Sequence, residues 1–150
     1  MKVAEIMNRE PVTVRDDQTF GEAFQKLCET RRLILPVVDE QGVYKGIFDL
    51  KDVWRILLPR AAHLDRGGLV DLSFANSSLE TLKDHIAENA GASIGRCITA
   101  DDTPPVFPDT PVIQAILMLD VHRETIAVVD RQTRKLVGVV SAWEVLDSLR

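Results

Sequence analysis

The chain has 150 residues, 45% of them hydrophobic and 27% charged, enough to bury one ordinary core or two small half-domains sharing one. Its formal charge is −5, with no long run of Lys or Arg, which argues against a nucleic-acid polymer as partner. No uncharged apolar stretch approaches the roughly 18 residues of a membrane span, and Met1 and Lys2 lead into a charged segment instead of a signal-peptide core, so a cytoplasmic protein is expected.

In chain order, the segment VAEIM at 3–7 precedes a short extended piece at 12–14. Phe20, Ala23, Phe24 and Leu27 then recur at i, i+3, i+4, i+7 and predict a helix, closed by the cations Arg31 and Arg32. The run at 33–38 reads as a buried strand ended by Asp39 and the turn residues Glu40, Gln41 and Gly42. A second strand at 43–48 enters a helix whose expected inner face is Val53, Trp54 and Leu57. The unit is therefore β-α-β-β-α.

From about 58 to 95 comes a different stretch. It carries Pro59, Gly67 and Gly68, then LVDLSF at 69–74, then a helix signal with capping residues at 76–78, a stripe of Leu79, Leu82 and Ile86, and Gly91 as a stop. So long a connection is rarely structureless, and the stripe predicts docking on the chain itself or on a dimer mate. His63 and His85, without spaced partners, read as surface residues, and Cys28 and Cys97, without CxxC spacing, as reduced thiols; no metal site is expected.

The remainder repeats the first unit. DTPVIQAI at 109–116 matches DQTFGEAF at 17–24 with an offset of 109 − 17 = 92, AVVD at 127–130 matches PVVD at 36–39, and GVVSAWE at 138–144 matches GIFDLKD at 46–52. The second copy reads as a strand at 105–107, a helix with the stripe Val112, Ala115, Ile116 and Leu119 and Pro111 in its opening turn, strands at 125–129 and 136–140, and a helix with Val145 and Leu149 inward. The division is a first motif at 1–58, an inserted linker at 59–93 and a second motif at 94–150. Neither copy is large enough to be stable alone, so an α/β fold of the α+β type is expected, the two copies packed through their sheets about a pseudo-twofold axis with a cleft between them.

These residues resemble the CBS motif, named from cystathionine β-synthase, which occurs in tandem pairs called Bateman modules. VAEIM at 3–7, PVTV at 11–14, LPVVD at 35–39 and the two closing segments GIFDLKD and GVVSAWE carry the likeness. The resemblance implies a regulatory module with no obligatory cofactor, a possible adenosine ligand such as AMP, ADP, ATP or S-adenosylmethionine in the cleft, and dimerisation into a flat disc. It also implies ribose acceptors at Asp52 and Glu144 and a hydroxyl position at Ser141. Asp49 departs from the pattern, placing a carboxylate that disfavours phosphate and favours a neutral or cationic ligand unless a metal or basic side chain intervenes. Glu144 also departs, reaching one methylene further than Asp. In the second copy Pro105 stands where the first has Thr13, removing a hydroxyl and a backbone donor.

Each of these residues has a structural reading beside the ligand one. Asp49 with Asp52, and Ser141 with Glu144, have the spacing of a helix N-cap and its third-position partner; an ionised carboxylate at a helix start equally suits a cis-diol. Arg32 and Arg123, ending the first helix of each copy, suit a helix C-terminus or an anion. Val14, Ile47, Phe48, Val139 and Val140, with Val106, supply either plain core or the walls of an adenine slot. No nucleophile with its base or phosphate-cradling loop is present, so a non-catalytic module is expected, acting through an unidentified effector protein or its homodimer. The alternative is a structural dimerisation module with vestigial clefts.

Overall fold

In a computed structural model, residues 1–58, 78–98, 104–121 and 124–150 are described. Pro59, His63, Gly67, Gly68, the 69–74 run, His122 and Arg123 lie outside them. A single 3-10 turn at Val3–Glu5 is followed by β1 (Val14–Arg15), α1 (Phe20–Thr30), β2 (Ile34–Val38), β3 (Tyr44–Asp49) and α2 (Leu50–Leu57). Then come α3 (Leu79–Asn89), α4 (Ile94–Cys97), α5 (Val112–Val121), β4 (Thr125–Val129), β5 (Leu136–Ser141) and α6 (Ala142–Leu149). The fold is α+β, and two compact units divide it.

The first unit comprises Met1–Asp16, Leu35–Ile47 and the described residues from 104 onward. β1 runs parallel to β2, Val14 opposite Val37, in a sheet ordered β1-β2-β3. β4 and β5 form an antiparallel pair with Ile126 opposite Val140. The expected strand at 105–107 reduces to one bridge, Val106 to Val128, because Pro104 and Pro105 bring no amide hydrogen to a ladder. The equivalence Val14–Val37 and Val106–Val128 is the repeat made visible in strand pairing.

The opening segment of the first copy does not lie on the first copy. Val3 N–H donates to the Thr110 carbonyl at 2.8 Å, Ala4 N–H to Pro108 at 2.9 Å, and Asn8 exchanges both backbone bonds with Val139. Val3 and Met7 are buried in one cluster with Val106, Ala115, Ile126, Val128, Val140 and Val145 of the second copy. Gly138 permits this approach, since a β-carbon there would stand 2.7 Å from the Asn8 carbonyl oxygen.

The second unit comprises Asp17–Ile34 and the described residues between 48 and 98. Here the reciprocal exchange occurs: Ile94, fully buried, opens the second copy yet lies on the first, with its N–H donating to Gln18 at 2.9 Å, while Phe20 N–H donates to Ala92. α1 starts at Thr19, whose hydroxyl accepts from Glu22 N–H, and buries Phe20, Ala23 and Leu27; the Phe20 ring meets Phe48 edge-on at 5.8 Å. α3 begins as expected at Ser78, whose hydroxyl accepts from Thr81 N–H, and it packs on α1 and α2 of its own chain. Two inner-face assignments are corrected. Trp54 is half exposed and Leu149 largely exposed, because only Val53 and Val145 of those short helices point into a core. Among the described residues no helix is long and apolar enough to cross a membrane.

Candidate functional site

Both closing segments end a strand with a residue that caps the following helix, so strand and helix geometry fix the same four side chains. In the first copy Asp49 is the last residue of β3 and the N-cap of α2; its Oδ1 accepts from Lys51 N–H at 2.9 Å. Asp52, three residues on, accepts the Asp49 N–H on Oδ2 at 2.9 Å. In the second copy Ser141 ends β5 and caps α6, its hydroxyl accepting from Trp143 N–H at 3.2 Å, and Glu144 Oε2 accepts the Ser141 N–H at 2.7 Å. The Ser141 hydroxyl also donates to that Oε2. The capping reading of both pairs therefore holds.

The two carboxylates are otherwise in different situations. Asp52 is 2% exposed, and its Oδ1 accepts from Arg55 at 3.2 Å, a guanidinium that also donates to the Cys97 carbonyl at 3.3 Å. Burial pushes the Asp52 carboxyl above its usual range and the neighbouring Asp49 charge adds to this, while the Asp49 N–H and Arg55 oppose it. Glu144 is only partly buried, and its Oε1 has no partner among the described residues. One carboxylate is thus consumed by structure, whereas the other keeps an acceptor oxygen available.

The apolar candidates are core residues: Val14, Ile47, Phe48, Val139 and Val140 are all buried. Thr13 is half buried and hydrogen-bonded. Thr13, Val14, Ile47, Val139, Val140, Ser141 and Glu144 belong to the first unit; Arg32, Phe48, Asp49 and Asp52 belong to the second. Arg123 lies outside the described residues.

Arg32 stands at the rim of a groove of about 450 Å³ among α1, α2 and α3, with Arg31 and Lys83, above a floor that includes Phe24, Leu27 and Val53. Sequence reading missed this groove, although it named the stripe of Leu79, Leu82 and Ile86 and the docking of their helix on the chain, which together with Leu33 and Trp54 line it. It also missed Arg55, whose i, i+3 spacing from Asp52 was legible. A further unforeseen cluster is Arg131, which lies 4.0 Å over the Phe107 ring and pairs with Asp109 at 2.8 Å. No cluster of three or more metal-ligating side chains occurs among the described residues.

A family model described as CBS domain matches residues 3–55 and 94–150. The chain is 46% identical over 50 residues to the glycine betaine/carnitine/choline transport ATP-binding protein OpuCA of Bacillus subtilis, a match covering 33% of this chain and 13% of that protein. Among solved structures, a CBS domain-containing protein of Kribbella flavida superposes with a TM-score of 0.74 at 26% identity, over 99% of this chain and 98% of the other. CBSX2, solved in complex with AMP, gives 0.70 at 19% identity over 99% and 95%. The CBS domain pair of protein MJ0100, solved with methylthioadenosine and S-adenosyl-L-methionine, gives 0.62 at 22% identity over 99% and 95%.

Proposed function

The chain belongs to the CBS domain family as a tandem pair, and from that premise we propose that it is a regulatory, non-catalytic module whose second repeat receives the ribose of an adenosine compound. The observation that carries this reading is the contrast between the two carboxylates. Glu144 is held in place by Ser141 through Oε2 and offers Oε1 to a cis-diol, a charge-assisted contact. Asp52 occupies the matching position but is sealed from solvent and already serves Asp49 and Arg55. Asp49 adds a second buried carboxylate in the first repeat, which disfavours a phosphate there. The ligand class is supported by the AMP, methylthioadenosine and S-adenosylmethionine bound by the similar domain pairs.

Occupancy is passed to a partner protein or through a homodimer. The short match to a transport ATP-binding protein makes such an ATPase one class of effector. Titration of the 150-residue chain with AMP, ATP, S-adenosylmethionine and methylthioadenosine, followed by thermal shift and calorimetry, tests the reading. At 100 times its dissociation constant a ligand adds about 2.7 kcal/mol of apparent stability, which for this size raises the melting midpoint by roughly 5–11 °C. Glu144→Ala lowers affinity by about tenfold or more, the worth of one charge-assisted contact, whereas Asp52→Ala chiefly lowers the melting point of the free chain. No shift with any of the four at millimolar concentration leaves the structural dimerisation module as the better reading.

A further inference from the structure

The groove among α1, α2 and α3 lies wholly within the second unit, and α3 falls outside both stretches that the family model matches. The inserted helix thus gives the first repeat a concavity of its own, which neither Asp49 nor Asp52 lines. Its volume, about 450 Å³, falls within the roughly 300–1,000 Å³ of sites that hold small molecules.

The lining sorts into two chemistries. Leu27 and Val53 are buried at the floor, and Trp54 stands half exposed at the side. Apart from the Cys28 thiol and the Trp54 indole N–H, no uncharged side chain of the lining carries a hydrogen-bonding group. Such an interior suits a hydrocarbon chain, and offers little to read a base or a sugar. The charged lining residues are Arg31, Arg32 and Lys83, all basic, and among the described residues no carboxylate joins them. Arg31 and Arg32 also suit the C-terminus of α1 that they follow. Lys83 has no such duty, since it lies in the interior of α3, and its 3.8 Å pair with Glu80 is exposed on both sides and worth little. Three cations from two helices therefore meet at the rim of one apolar groove.

We propose that this groove binds a medium-chain carboxylate, its hydrocarbon tail laid on the floor and its carboxylate held at the rim by Arg31, Arg32 and Lys83. Arg forks match a carboxylate in plane, and Lys adds a point charge. A free amphiphile fits better than a membrane surface, because a bilayer meets an exposed apolar face and not a recess, and the chain's net charge of −5 opposes an anionic bilayer. The site is separate from the adenosine reading and stands or falls without it.

Calorimetric titration of the full chain with sodium decanoate below its micellar range tests the proposal. Decanoate binds at one site, and octanoate binds about 15-fold more weakly, since each buried methylene is worth about fourfold. Decanol and decyltrimethylammonium each bind about tenfold more weakly or worse, for lack of the charge-assisted contact. Arg32→Gln combined with Lys83→Gln weakens decanoate by about tenfold, each exposed ion pair being worth up to about fivefold. Trp54→Ala weakens it by about tenfold through lost apolar contact, whereas Leu117→Gln, on the exposed face of α5, leaves it within about twofold. Circular dichroism verifies that each variant is folded. As a second measurement, decanoate at ten times its dissociation constant slows alkylation of Cys28, which lines the groove, by about tenfold, and leaves Cys97 unchanged. Decanoate that binds no better than decanol, or that is lost in Leu117→Gln, overturns the proposal. So does the absence of both heat and Cys28 protection, whether or not the chain sediments with phosphatidylglycerol vesicles.

Discussion

Replacing Gly138 by Ala tests the exchange of opening segments at its narrowest point. The added methyl would stand 2.7 Å from the Asn8 carbonyl oxygen and 3.0 Å from Met7 Sδ. The sulfur is the flexible part of a side chain and can swing aside; the carbonyl is backbone and cannot. It is also fixed by the paired bonds of Asn8 with Val139, at 2.9 and 3.0 Å. Overpacking of this kind costs about 1–3 kcal/mol, and stretching two backbone hydrogen bonds adds about 1 kcal/mol for each one lost. A total near 3 kcal/mol lowers the melting midpoint by about 6–12 °C in a domain of this size. Calorimetry of Gly138→Ala beside Gly91→Ala, where nothing lies within 4 Å of the new β-carbon, separates crowding from the general effect of removing a glycine. A Gly138→Ala melt within about 1 °C of the parent would refute the close approach of 7–8 to β5, since no relaxation of this size is that inexpensive.

Carbon-detected NMR titration should place the Asp52 carboxyl above the usual range and Asp39, Asp109 and Asp130 below it, the first through burial, the others through hydrogen bonds. Because the folded value of Asp52 is raised, its contribution to stability is present at low pH and is lost as pH rises through that value; Asp49→Asn, by removing a like charge, moves the titration down. Ser78→Ala removes the cap of α3 and should cost about 1 kcal/mol, seen as faster amide exchange over 79–83. Iodoacetamide should alkylate exposed Cys28 well before Cys97, whose thiol is pushed up by burial and by the nearby Asp52 charge; equal rates would contradict that burial.

The elements that were legible are those whose cause is local. Ser78 and the Leu79, Leu82, Ile86 spacing placed α3 because a cap and a 3.6-residue period are written in neighbouring residues. The same holds for Asp49 with Asp52 and Ser141 with Glu144. What escaped is what the chain decides at long range. Matching the copies assigns 3–7 to the first and 94–97 to the second, and no periodicity says that each lies on the other. Trp54 and Leu149 were placed inward because an eight-residue helix has too few turns to separate an inner stripe from an outer one. The inequality of the two carboxylates depends on Arg55 and on a burial that only the assembled unit defines. The side of α1 on which Arg32 falls follows from the left-handed turn at Arg31, φ 56°, a conformation that sequence alone does not assign to an arginine.

The crossed opening segments bear on how such a chain can change over generations. Each repeat is completed by residues that belong to the other, 3–7 entering the core of the second repeat and Ile94 that of the first. A deletion of either repeat does not leave half a protein; it strips the survivor of its buried Ile94 or of its Val3 and Met7. Recombination that brought in a foreign repeat would face the same obstacle, since the newcomer would have to accept a segment selected against another surface. Point changes can act on one repeat at a time, but the pair is inherited whole.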